Sequence, residues 1–255
     1  MWSVPNCVNI GSVAGVDPLI GHFIQQELVY LQSRYSDRDY HNAEHAAEVI
    51  ERVREIGARL VASDKLTARD VQLLTLAAVF HDHEQDLGSG ANEARSADVA
   101  AAAMADHPEI FSAKDIAKVR AAIMATRVEF VDGKLRQVAD PNDVFAAALA
   151  DADMAHLGGP IAIPSSLQLN QELQTLGGTG LDSKVSADFL AFSAELMGYH
   201  QYHLEESREL FANGTRNNAQ TMSLLQAAFA SGSLSYEQLL SDAQVSTAKG
   251  ANHLG

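Results

Sequence analysis

The sequence is poor in cysteine, in aromatic residues and in positive charge. One thiol, Cys7, excludes an intramolecular disulfide framework and any zinc module built from several cysteines, and it is read as an inert side chain. Lys and Arg number 18 against 33 Asp and Glu, a formal charge of −15, so a surface that neutralises a nucleic-acid polymer is not expected. A small anionic substrate would then need a local attractor, and a bound divalent cation can be the largest local charge in a site. No apolar run approaches the roughly 20 residues that span a bilayer. The first residues lack a Lys or Arg ahead of their mildly apolar stretch, which fits a secretory signal poorly. A cytoplasmic protein without a membrane partner is expected.

What is present favours helix. Alanine is abundant, aromatics make up 6% of residues, and β-branched runs are short. Apolar residues recur at helical spacing from Asp17 to Arg34, with Asp17-Pro18 as a start signal. Further helices are predicted over about 42–61, from a Ser63 or Thr67 cap to His81-Asp82, over 92–105 and 113–127, and from near Asn142 to Asp151. Asp132-Gly133 between alternating residues predicts a two-stranded ribbon within 128–138. Residues 158–180, rich in Gly, Pro and Ser, read as an irregular insertion holding a short helix. Two long helices, about 183–212 and 215–230, follow. The expected architecture is an all-α bundle of about eight helices in one domain, residues 17–230, with an extension over 1–16 and a fraying tail over 231–255.

Three segments put imidazoles and carboxylates at the ends or inner faces of helices: Tyr40-His41-Asn42-Ala43-Glu44-His45, Val79-Phe80-His81-Asp82 and Leu149-Ala150-Asp151-Ala152-Asp153. His41 and His45, spaced i and i+4, would share a face if one helix holds both. His81-Asp82 follows the apolar run Leu73 to Phe80, which delivers both groups to the inner end of a buried helix. Burying either without a partner is expensive, and a metal ion satisfies both. Asp151 poses the same problem after the apolar stretch Phe145 to Ala150.

Taken in order, His45, His81-Asp82 and Asp151 resemble the HD superfamily of metal-dependent phosphohydrolases, in which a His, a His-Asp pair and an Asp lie on separate helices. The text from Tyr40 to Val49 is similar to the first motif of cyclic-nucleotide phosphodiesterases, and Asn92-Glu93-Ala94-Arg95-Ser96-Ala97 and Asp151 to Gly158 are similar to segments of small bacterial HD proteins. The resemblance covers about 32–158 and, more weakly, 202–218. It implies a metal held by His45, His81, Asp82 and Asp151, with His41 donating a proton. Where cyclic-nucleotide phosphodiesterases carry another His, this chain has Gln85. The hydrolases of guanosine tetraphosphate alarmones have Glu-Asp there, against Gln85-Asp86 here.

The implied chemistry is hydrolysis of a small phosphorylated substrate, a nucleotide or cyclic nucleotide, by metal-activated water. The cofactor would be a divalent metal: Mn, Fe, Co, Ni or Zn for imidazole plus carboxylate, or Mg for a site of carboxylates and water. His83, Glu84, Gln85, Asp86 and Glu93 are candidates for a second cation or for orienting water. Glu93 is read either as a catalytic base or as a carboxylate stabilising its own helix N-terminus. Asp153, two residues beyond a ligand, is expected to make a structural hydrogen bond. Arg38, Arg127 and Lys134 could meet phosphate but read as solvated, and His200 and His203 read as packing or surface residues. Competing functions are an HD-type di-iron oxygenase and a non-catalytic nucleotide sensor.

Overall fold

The computed structural model describes residues 18–178 and 181–241; Cys7, His253, the extension over 1–16 and the end of the tail lie outside them. The fold is all-α. α1 (Pro18–Arg34) begins with proline in its first turn, where a missing N–H costs nothing. α2 (Ala43–Ala62) is capped by Asn42, whose Oδ1 accepts from the N–H groups of Glu44 (2.8 Å) and His45 (3.3 Å). α3 (Ala68–Phe80) opens on a capping box between Thr67 and Asp70. Every residue from Leu73 to Phe80 is buried, as a helix without a polar face must be, and α1, α2, α5 and α6 pack around it.

α4 (Ala91–Ala105) and α5 (Ala113–Ala125) follow, and then the ribbon: β1 (Val128–Val131) pairs antiparallel with β2 (Lys134–Gln137), Val131 opposite Lys134. Its turn has positive φ at Asp132 and Gly133, the conformation that suits a two-residue hairpin. α6 (Val144–Met154), capped by Asp143, is buried from Phe145 to Ala152 and runs into a 3-10 turn, Ala155–Gly158. α7 (Ala162–Leu176), α8 (Ser183–Tyr199) and α9 (Glu205–Ala230) complete the main body.

Three expectations are corrected. Residues 158–180 contain a full 15-residue helix, α7, with Pro164 tolerated because it sits in the first turn. The break between the last two long helices lies at His200 to Leu204, not near Gly214. The Asp151 carboxylate accepts the backbone N–H groups of His203 (2.8 Å) and Leu204 (2.9 Å) and fixes the start of α9 there. Gly214 instead lies within α9, where a Cβ would come 2.0 Å from the Gly158 carbonyl oxygen; glycine serves close approach here, not termination. Finally, the chain does not fray at 231. Residues 236–241 are helical, and Tyr236 and Leu239 are buried with Leu167, Leu190 and Met222. The Tyr236 hydroxyl donates to the Leu167 carbonyl (2.8 Å) and accepts from Asn170 Nδ2 (2.7 Å).

Candidate metal centre

α2, α3 and α6 bring three side chains to one point. His45 rises from the first turn of α2, His81 is the residue that ends α3, and Asp153 lies in the last turn of α6. One donor atom from each falls within 4.8 Å of the others, and the three could hold a metal ion. His45 Nε2 is 3.4 Å from Asp153 Oδ1, and His81 Nε2 is 3.6 Å from it. Asp82 Oδ2 joins them, 3.4 Å from His45 Nε2 and 3.3 Å from His81 Nε2. Donors at tetrahedral corners about 2.1 Å from a common ion stand about 3.4 Å apart, so the spacing suits coordination by nitrogen and oxygen.

The four side chains have little solvent to turn to. His45 and His81 are 5% and 1% exposed, Asp82 14% and Asp153 17%. His81 Nε2 and Asp82 Oδ2 are buried without a hydrogen-bond partner, a state that costs free energy unless something else satisfies them. His81 Nδ1 donates to the Ala78 carbonyl at 2.6 Å, which turns Nε2 towards the cluster.

The charge balance fits the same picture. Burial would lower the pKa of His81, but Asp82 and then Asp153 outweigh it and raise the imidazole well above its usual range. Burial likewise opposes ionisation of Asp82, yet the neighbouring His81 imidazole brings its carboxyl down to about 2. Asp153 is held low against burial by the His45 and His81 imidazoles that face it. A cation can take the place of the proton that His81 otherwise carries.

Asp151 is not part of this cluster. It is fully buried, with Oδ1 accepting from His203 N and lying 2.9 Å from His203 Nδ1, and Oδ2 accepting from Leu204 N. Successive helical residues turn by about 100°, so positions i and i+2 point to nearly opposite sides and only one of Asp151 and Asp153 can face the imidazoles. Asp153, expected to make a structural hydrogen bond, faces the imidazoles, and Asp151, expected as a ligand, is spent on His203 and Leu204.

His41 stands outside α2, beyond the Asn42 cap, so it does not share a helical face with His45. Its ring centroid is 6.3 Å from that of His45, with the Tyr40 ring against both. His41 Nδ1 lies 2.6 Å from Glu172 Oε1, and Glu172 Oε2 accepts from the backbone N–H groups of Tyr40 (2.8 Å) and His41 (2.9 Å). Glu172, from α7, is 2% exposed. Burial pulls the His41 pKa down, but the Glu172 hydrogen bond and the charges of Asp82, Glu172 and Asp153 leave it raised. Glu172 is lowered to about 2, burial being overcome chiefly by His41.

The candidates for a second cation are engaged elsewhere. His83 Nδ1 is 2.5 Å from Glu27 Oε1 and its ring stacks on Tyr30. Gln85 Nε2 donates to Asp82 Oδ1 at 2.7 Å. Asp86 pairs with Arg34 and, at 2.5 Å, with Arg38. Glu93 accepts from Gly90 N at 2.6 Å and so serves the start of α4, the second of its two expected readings. Arg38 is not a solvated residue: it is 11% exposed, between Asp86 and Glu172. Arg127 pairs with Glu129, and Lys134 lies over the Tyr199 ring. His156 donates through Nδ1 to the Asp153 carbonyl, and burial, aided by the His45 charge, pushes its pKa to about 4, keeping it neutral behind the cluster.

Sequence reasoning did not single out Glu172 or Gln137. Gln137 ends β2 and donates from Nε2 to Asp153 Oδ2 at 3.1 Å. Neither stands in a motif, and only the packing of α7 and the hairpin on the site brings them there. No protein-family model, curated protein sequence or solved structure matches this chain significantly.

Proposed function

We propose that this protein is a metal-dependent phosphohydrolase of the HD type, acting in the cytoplasm on a small phosphate ester such as a nucleotide or cyclic nucleotide. The observation that carries the proposal is the meeting of His45, His81, Asp82 and Asp153 at one buried point, with His81 Nε2 and Asp82 Oδ2 lacking any other partner. The resemblance of the Tyr40–Val49 and His81-Asp82 segments to HD proteins supplies the reaction class. A divalent cation held there would lower the pKa of a water molecule and offset charge on a phosphoryl oxygen.

The chain's own groups supply the rest. With Nδ1 bonded to Glu172, His41 keeps Nε2 to present a proton, and its raised pKa favours the imidazolium that a departing ester oxygen needs. Tyr40 is buried against both imidazoles and keeps water from that side of His45. One cation rather than two is the favoured reading, because His83, Gln85 and Asp86 are each committed to protein partners.

Metal analysis of the purified protein, followed by a phosphate-release screen over nucleotides and cyclic nucleotides with Mn, Mg, Ni and Co, tests the proposal. Bound metal and turnover are expected, both lost in Asp82→Ala. Metal uptake without turnover of any phosphate ester would sink the hydrolase reading and leave a metal-binding protein.

A further inference from the structure

Each carboxylate of the cluster turns one oxygen to the imidazoles and has its other oxygen in use. Asp82 gives Oδ2 to His45 and His81, while its Oδ1 accepts from Gln85 Nε2 at 2.7 Å. Asp153 gives Oδ1, while its Oδ2 accepts from Gln137 Nε2 at 3.1 Å. The two amides come from unrelated places, the loop after α3 and the end of β2, yet they do the same thing on the two acids.

The Gln85 amide is oriented by its neighbours. Asn92 Nδ2 approaches Gln85 Oε1 at 3.5 Å, and Asn92 is itself fixed by accepting from Leu87 N at 2.8 Å. Gln85 N donates to the Tyr35 hydroxyl at 3.0 Å, which pins its backbone. Gln137 Oε1 is buried without a hydrogen-bond partner, and its amide bonds through Nε2 to Asp153. Turning either amide over would set oxygen against oxygen.

We propose that Gln85 and Gln137 are positioning residues that restrict Asp82 and Asp153 to one coordinating oxygen each and thereby select a first-row transition cation over calcium. The inference rests on the reading of this cluster as a cation seat. A carboxylate oxygen that receives an amide hydrogen cannot turn to chelate an ion without giving up that bond. Two imidazole nitrogens and two single oxygens make a compact four-donor set that suits Mn, Fe, Co, Ni or Zn. Calcium takes about 6–8 oxygens and often chelates carboxylates through both.

The test measures the affinities of Mn, Zn and Ca for the full-length protein by calorimetry, in wild type, Gln85→Leu and Gln137→Leu, with Gln85→Ala and Gln137→Ala as second variants should leucine hinder folding. Gln171→Ala is the control, since Gln171 Nε2 holds Asp39 Oδ1 (3.2 Å) in the same manner outside the seat. Removing a group that holds a metal ligand from behind lowers affinity by about 10- to 100-fold, and that loss is expected for Mn and Zn but not for Ca. The Mn-to-Ca affinity ratio should narrow in both variants and stay unchanged in the control. The visible absorption of bound Co(II) should weaken as the freed oxygen raises the coordination number. If wild type binds Mn and Zn but the ratios of both variants equal its own, the positioning role is wrong and the seat stands. If wild type binds none of these ions, the seat itself is wrong and this inference falls with it.

Discussion

The cluster at His45, His81, Asp82 and Asp153 and the segment from His83 to Glu93 hold similar residues and behave differently. In the segment, His83 has Glu27, Glu84 Oε1 accepts from the N–H groups of Gln85 and Asp86, Asp86 has Arg34 and Arg38, and Glu93 has Gly90 N. In the cluster, two imidazoles and two carboxylates face one another, with His81 Nε2 and Asp82 Oδ2 unmet. Richness in ligand-type residues does not distinguish the two regions. What distinguishes them is whether their bonding capacity is spent within the protein, and a buried site where it is not spent is where an ion is worth binding.

The largest effect that would test this contrast is on metal uptake. Asp153→Ala should lower affinity for Mn or Zn by more than the roughly 10- to 100-fold that follows loss of a supporting group, while Asp86→Ala, in the loop, should leave it unchanged in the same titration. Uptake by Asp153→Ala at wild-type affinity would erase the distinction.

Next in size is stability. Asp151 accepts two backbone N–H groups at no exposure, so Asp151→Ala should destabilise the fold by about 3 kcal/mol in urea denaturation. Asp153 is 17% exposed and accepts a side-chain amide rather than backbone N–H groups, so Asp153→Ala should cost the metal-free protein less. Equal losses would mean that the two aspartates do not divide structure from binding as described.

A smaller effect concerns pH. His41 has a raised pKa, so its protonated form persists below that value and is lost as pH rises through it; turnover that needs the imidazolium should fall on the alkaline side. Glu172→Gln removes the carboxylate that sustains this charge and should move the falling limb to lower pH by about 1 unit or more. An unmoved limb would separate His41 from the reaction. The smallest effect expected is from Asp86→Asn, whose exposed pairing with Arg34 and Arg38 should contribute less than about 1 kcal/mol by the same denaturation measurement.

The sequence made the helices legible because periodicity and caps are local: Asn42, Thr67, Ser112 and Asp143 all cap where they stand. It also made legible that His45 and His81-Asp82 end up inside. The resemblance pointed to Asp151, whereas the structure brings Asp153 to the imidazoles; α6 is buried from Phe145 to Ala152 and offers no polar face to set its rotation. Glu172 was hidden for a different reason. It lies on the buried side of α7 with Ser166, Asn170 and Gln174, a polar interior that no hydrophobic stripe announces. The break at His200 to Leu204 depends on Asp151, about fifty residues away, and nothing local encodes it.

Gly158 and Gly214 cross so closely that a Cβ on Gly158 would lie 2.5 Å from the Phe211 carbonyl oxygen, and one on Gly214 would lie 2.0 Å from that of Gly158. The segment just after Asp153 is thus seated directly on the backbone of α9, with Asn218 Nδ2 donating to the carbonyls of Leu157 and Gly159 at 2.9 Å each. This crossing works as a mechanical fulcrum. A methyl group at either glycine would lever α9 away from α6 and draw His203 and Leu204 off Asp151. Asp153 lies two residues beyond Asp151 on α6, so two residues without a side chain sit close behind the cluster.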